Sequence, residues 1–198
     1  MTENDSIVRV AFEAGQLKRT PRSGWLLAGI ASPESVAEHS HRVAVLAYII
    51  AAQEGADADR ACTLGVFHDF PEARTGDVPS VGKSYVATTE PADVAADQVA
   101  GVPDGLAERL VALVSEHEGA KTAEATLEAR CSRDADKLEC LLQAREYEVQ
   151  TGNRQLQPWI ESMLHAVATP TGTELAKRAA ELEPAMWFQE FAARFGTT

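Results

Sequence analysis

The chain contains no uninterrupted apolar run of the roughly 18 residues a membrane-spanning helix needs, which argues against a transmembrane segment. Nor does it open on the basic and then apolar stretch of a secretory signal: Met1 to Ser6 are polar, and a cytoplasmic location is expected. Cysteine is scarce. Cys62, Cys131 and Cys140 are too few for a disulfide scaffold or a thiolate cluster, so they are expected as reduced thiols in or near the core. Basic residues are also short, with 18 Lys and Arg against 30 Asp and Glu and a net charge of −12. A nucleic-acid polymer requires a basic footprint and is therefore not expected as a partner. A small phosphate ester stays compatible, because an ion and a few local cations reverse the field at one place. Alternating apolar runs bounded by hairpin turns are missing too, which removes any signal for a sheet.

What is present points to helices. Hydrophobic residues make up 45% and aromatics only 6%, a composition of Ala- and Leu-rich helices in one all-α, single compact multi-helix bundle spanning residues 1–198. Periodicity and cap signals predict helices at 5–16, 33–54, 58–69, 71–75, 91–99, 103–116, 121–128, 133–150, 154–167 and 172–195. The segment from Gly76 to Pro91 is the longest irregular stretch and reads as a lid or substrate loop. In the last helix Trp187, Phe188, Phe191 and Phe195 form an aromatic stripe suited to core or dimer packing, so a homodimer is one expectation.

The chemistry-bearing residues lie in three separated segments. His68-Asp69 stands in Val66-Phe67-His68-Asp69-Phe70-Pro71-Glu72, with His39 upstream and Asp134 and Asp136 downstream. Two imidazoles with carboxylates are a donor set for a first-row divalent metal, without selecting which one. Successive residues on a helix are about 100° apart, so His68 and Asp69 reach one ion only where the chain turns. Pro71 supplies that turn, because it removes a backbone donor and disfavours helical geometry at Phe70. Ser35-Val36-Ala37-Glu38 reads as a capping box, and Val36, His39, Val43, Leu46 and Ile50 then share one buried stripe. His39 is on that stripe, whereas His41 is turned to solvent. In the third segment Leu138, Leu141, Leu142 and Val149 favour Asp134 as the inward residue, yet either aspartate could instead be a helix-start acid behind a Ser132 cap.

In order and spacing these segments resemble the HD-domain metal-dependent phosphohydrolases, and within them the 5'-deoxynucleotidase and HD domain-containing protein 2 family. The resemblance rests on Leu17-Lys18-Arg19-Thr20-Pro21-Arg22-Ser23-Gly24-Trp25, Glu34-Ser35-Val36-Ala37-Glu38-His39-Ser40, His68-Asp69-Phe70-Pro71-Glu72, Thr75-Gly76-Asp77-Val78-Pro79 with Lys83, and Ala135-Asp136-Lys137-Leu138 through Tyr147-Glu148. It covers residues 15–155, with the C-terminal helices at 154–195 completing the fold. It implies that His39, His68, Asp69 and Asp136 hold one divalent ion, drawn from Mn, Co, Fe, Ni, Zn or Mg, and so sets aside the periodicity vote for Asp134. Glu72 would be the general acid or base that handles the proton of the attacking water. Asp77 would face the sugar and the leaving oxygen, and Trp25 would lie near the substrate. Some bacterial members have Arg immediately before the tryptophan. Here that position is Gly24, so a cation for the phosphate is sought among Lys18, Arg19, Arg22 and Lys83.

The activity so implied is hydrolysis of nucleoside or 2'-deoxynucleoside 5'-monophosphates. Two alternatives stay open at the level of sequence. One is phosphodiester or nucleoside polyphosphate hydrolysis, since the fold hosts both; the other is a non-enzymatic nucleotide-binding regulator. An intact donor set with Glu72 beside it argues against the regulator, because a binding module has no use for a base there.

Overall fold

The computed structural model describes residues 2–87 and 89–196. Among them run eleven α-helices: α1 (Glu3–Ala14), α2 (Ser23–Leu27), α3 (Val36–Glu54), α4 (Ala58–Phe67), α5 (Glu72–Thr75), α6 (Pro91–Gln98), α7 (Asp104–Glu118), α8 (Leu127–Thr151), α9 (Gln157–Leu164), α10 (Pro170–Glu181) and α11 (Met186–Phe195). No strand occurs among the described residues, where a single bridge pairs Pro21 with Ser35. The architecture is an all-α bundle.

Three helices carry the centre. The capping box holds, with Ser35 Oγ accepting from Glu38 N while the Glu38 carboxylate accepts from Ser35 N at 2.6 Å, and it launches α3 with Val36, His39, Val43, Ala47 and Ile50 buried. Val43, Ala47 and Ile50 pack on Ala61 of α4 and on Cys131, Ala135, Leu138 and Leu141 of α8. Small residues let α3 and α4 meet closely. A Cβ built on Gly65 would sit 3.0 Å from Ala44 Cα and 3.1 Å from Ala44 N, so glycine is what permits this approach. The crossing falls one turn from both His39 and His68.

Helix α4 ends at Phe67, and the chain turns through His68 to Pro71 before the short α5, as Pro71 requires. Gly76 then adopts φ 72°, which redirects the chain into Asp77 and the long loop.

Several expectations need correction. Residues 121–128 are not a helix of their own; Thr126 caps α8, which runs unbroken through Leu127–Thr151. Ala129, Cys131 and Ser132 are buried, and tertiary packing outweighs the modest helix propensity of Cys131 and Ser132. Ser132 is therefore inside the helix and not its cap, and Val149 is exposed and off the buried stripe. Residues 172–195 form two helices, interrupted at the segment containing Pro184. The core alternative for the aromatic stripe also fails: α11 has no buried residue, and Trp187 is 72% exposed. Helix α2, only five residues long, carried no periodic signal and was not foreseen.

Candidate metal centre and substrate cavity

His39 comes from the first turn of α3, His68-Asp69 from the turn after α4, and Asp136 from α8. The fold brings these four together and leaves His41 exposed. The His39 and His68 ring centroids are 5.3 Å apart. His39 Nε2 lies 3.3 Å from Asp136 Oδ1 and 3.6 Å from Asp69 Oδ2, and His68 Nε2 lies 3.1 Å from Asp69 Oδ2. Asp134 is elsewhere. It accepts hydrogen bonds from Ala168 N and Thr169 N, so its burial comes from tying α8 to the start of α10.

The far side of each ring sets its tautomer. His68 Nδ1 meets the Gly65 carbonyl at 2.8 Å, and a carbonyl only accepts, so Nδ1 carries the proton and Nε2 presents a lone pair. His39 Nδ1 meets Glu139 Oε2 at 2.5 Å, and Glu139 is itself held by Arg42 at 2.8 Å. Both Nε2 atoms are buried and lack a hydrogen-bond partner. Two aligned, unpartnered nitrogen donors facing two carboxylates fit a divalent ion.

The electrostatics agree with that fit. Burial and Arg22 oppose a charge on His39, yet Asp136 and Glu139 outweigh them and raise its proton affinity well above the ordinary histidine range. Burial likewise works against ionised Asp69 and Asp136, but His68 and Arg22 for the one, and Lys137 and His39 for the other, hold both below the usual carboxylate range. These carboxylates demand positive charge at His39 Nε2, and an ion would supply it in place of the proton.

Beside the cluster opens a cavity of about 270 Å³. Its apolar lining is Trp25, Leu27, Trp159 and Met163; His68, Asp69, Glu72 and Asp136 belong to its polar lining, and the loop contributes Asp77 to Val81 and Lys83. Glu72 Oε2 is buried without a partner, and burial together with Asp69 pushes its carboxyl up to about 9. Asp77 is fully engaged: Oδ1 accepts from Arg22 at 3.1 Å, and Oδ2 accepts from Ser23 N at 2.6 Å and Ser23 Oγ at 2.9 Å. It therefore anchors the loop to α2 while lining the cavity. Trp25 is core and cavity wall at once: buried, it donates from Nε1 to Glu34 and stacks edge-on against Tyr147 at 5.6 Å.

Of the cations expected from sequence, Lys83 and Arg22 line the cavity, whereas Lys18 and Arg19 do not. Arg19 bonds Gln16 on the surface, and Arg22 is a half-buried strut between Asp69, Asp77 and the Cys140 thiol.

A family profile for the HD domain matches residues 14–179. The chain belongs to the HD-domain family. Among the HD-domain relatives it resembles are the 5'-deoxynucleotidase HDDC2 of Bos taurus, 32% identical over 172 residues that cover 85% of this chain and 80% of the relative, and the 5'-deoxynucleotidase hdd1 of Schizosaccharomyces pombe, 33% identical with 72% and 73% covered. A conserved hypothetical protein of Pyrococcus furiosus shares the fold with a TM-score of 0.70 at 27% identity, covering 88% of this chain and 99% of that one.

This HD-domain chain also places residues at the site that sequence reasoning missed. Glu139 and Cys140 follow Asp136 by three and four residues, so the helical repeat brings all three onto the face toward α3, a signal that was available. His117, Lys121, Arg133 and Lys137 line the cavity as well. Lys137 is paired with Asp136 at 2.6 Å. Burial and the adjacent His68 push His117 down to about 3. No periodic pattern distinguishes a cavity-lining His at the end of α7 from a surface one.

Proposed function

We propose that the protein is a metal-dependent phosphomonoesterase that hydrolyses nucleoside or 2'-deoxynucleoside 5'-monophosphates to nucleoside and phosphate. The observation that carries this reading is the convergence of two buried, unpartnered imidazole nitrogens with Asp69 and Asp136 beside a cavity lined by Trp25 and Trp159 and by the cations Lys83 and Lys137. The names of the bovine and yeast relatives support the choice of substrate. The acidic surface, with a net charge of −12, speaks for a small substrate over a nucleic-acid polymer.

In this reading His39, His68, Asp69 and Asp136 hold one divalent ion. The ion supplies charge that polarises the phosphoryl group and acidifies the attacking water. The chain's own residues do the rest. Glu139 fixes the His39 ring through Nδ1, and the Gly65 carbonyl fixes His68 the same way, so both lone pairs are aimed before the ion arrives. Trp25 and Trp159 provide flat apolar surface for a base, and Lys83 and Lys137 offer cations to the phosphate. Once the charge of a bound divalent ion offsets Asp69 and lets Glu72 ionise, Glu72 would take the water's proton at Oε2 and return it to the leaving 5' oxygen as the water oxygen bonds to phosphorus and the ester P–O bond breaks. Its burial without a partner leaves that atom free for the transfer.

Three free cysteines suit a reducing compartment such as the cytoplasm. No helix among the described residues is long and apolar enough to cross a membrane. The exposed aromatic face of α11 suits pairing with a second copy. The test of the activity is phosphate release from a panel of nucleotides by protein stripped with chelator and refilled with one metal at a time. Release from monophosphates only, restored by a divalent ion, is expected; release from diesters or triphosphates in preference would overturn the substrate class.

A further inference from the structure

His117 has no part in the donor set or in the handling of the proton, yet it is placed against the donor set. Its ring lies 4.9 Å, centroid to centroid, from that of His68 and lines the substrate cavity. Its Nδ1 is 2.9 Å from the hydroxyl of Ser132, which is completely buried in the interior of α8. The hydroxyl settles the tautomer. Among the described residues Ser132 Oγ makes no other hydrogen bond, so its one proton has only Nδ1 to go to. With Nδ1 accepting, the ring proton is on Nε2, which has no partner among the described residues. His117 thus presents an N–H donor on the cavity side.

The neighbourhood decides what that donor meets. Lys121, Arg133 and Lys137 line the same cavity, and Lys121 and Arg133 also share a second, adjoining pocket. Three cations beside a donor outnumber the adjacent carboxylate of Glu118 and favour an anion over a further metal ion. Lys137 bridges the two regions, since it pairs with Asp136 of the donor set.

We propose that His117 is a further catalytic residue, donating from Nε2–H to a phosphoryl oxygen of the monoester, with Lys121, Arg133 and Lys137 supplying the surrounding charge. This rests on the phosphomonoesterase reading for the identity of the anion. Ser132 is the positioning residue, acting through the ring. Donors of this kind count most when charge builds on the phosphoryl oxygens in the transition state.

The test uses full-length protein stripped with chelator and reloaded with manganese, comparing the unmodified chain with His117→Phe, His117→Gln and Ser132→Ala. Phe keeps a ring but removes the donor, and Gln restores an N–H at similar reach. Two quantities are read in each: affinity for inorganic phosphate by calorimetry, and kcat/KM for a deoxynucleoside monophosphate, with metal content measured alongside. A hydrogen bond to a charged group is worth roughly 10–100-fold, so His117→Phe should lose that factor in phosphate affinity and at least as much in kcat/KM, with metal content unchanged. His117→Gln should recover most of it. Ser132→Ala, which leaves the ring in place, should lose a smaller factor, and this arm stands if His117→Phe fails to fold. Equal phosphate affinity in His117→Phe and the unmodified protein would overturn the proposal, as would metal loss in that variant or no phosphate binding by the metal-loaded chain. A chain that binds phosphate through His117 but releases none from any nucleotide would overturn the phosphomonoesterase reading and leave the donor assignment standing.

Discussion

Replacing Gly65 with alanine tests whether the metal centre depends on the close crossing of α3 and α4. The new Cβ would meet Ala44 Cα at 3.0 Å, Ala44 N at 3.1 Å and the Val43 carbonyl carbon at 3.3 Å, all backbone atoms that cannot rotate aside. Ordinary contact for such a carbon begins at 3.4 Å, so the helices must part by at least 3.4 − 3.0 = 0.4 Å. Overpacking of this kind costs about 1–3 kcal/mol, partly offset by the ~1 kcal/mol that alanine gains over glycine in a helix. The net expectation is a loss of about 0–2 kcal/mol, a fall in Tm of up to ~8 °C for a domain of this size. Metal binding should suffer more than stability. His39 and His68 lie one turn from the crossing on opposite helices, and the displacement exceeds the ~0.2 Å within which metal–ligand distances must fall. An affinity loss of about tenfold or more is expected by metal titration. Gly105→Ala in α7 is the control: nothing lies within 4 Å of its Cβ, so it should raise stability by about 0.4–1 kcal/mol and leave the metal alone. If Gly65→Ala binds metal as tightly as the unmodified protein and melts no lower, the crossing does not set the spacing of the two imidazoles.

Other perturbations separate the roles of the remaining residues. Glu139→Gln keeps the shape and an acceptor for His39 but removes the charge, so metal affinity should fall about 10–100-fold with helical circular dichroism unchanged. Glu72→Ala should retain metal and nucleotide binding while kcat and kcat/KM fall together by roughly 10²–10⁴; near-normal turnover would remove Glu72 from the mechanism. Asp136→Asn should lose the ion, whereas Asp134→Asn should keep it and instead lower Tm, because Asp134 holds the Ala168 and Thr169 amides. The reverse pattern, read by elemental analysis, would reassign the fourth ligand. His39→Ala should bind no metal and His41→Ala a full complement.

Much of the site was legible because its signals are local. The capping box at Ser35 fixes where α3 starts, and the helical repeat then puts His39 inside and His41 outside. Pro71 ends α4 at the His-Asp pair by simple backbone sterics, with no help from the rest of the molecule. The all-helical class followed from the missing strand pattern. Other features were out of reach for the same reason in reverse. Whether Asp134 or Asp136 faces His39 could not be decided by periodicity, since both are buried, one against a loop and the other in the donor cluster. The unbroken α8 depends on burial of Cys131 and Ser132 by other helices, which overrides their weak local preference. Arg22 became a half-buried strut and not a free phosphate cation because Asp69 and Asp77, 47 and 55 residues away, close around it. His117, Lys121 and Arg133 are ordinary in sequence. Only the packing of α7 against α8 places them on one cavity wall, because a donor's partner, unlike a helix's cap, is chosen by distance in space and not along the chain.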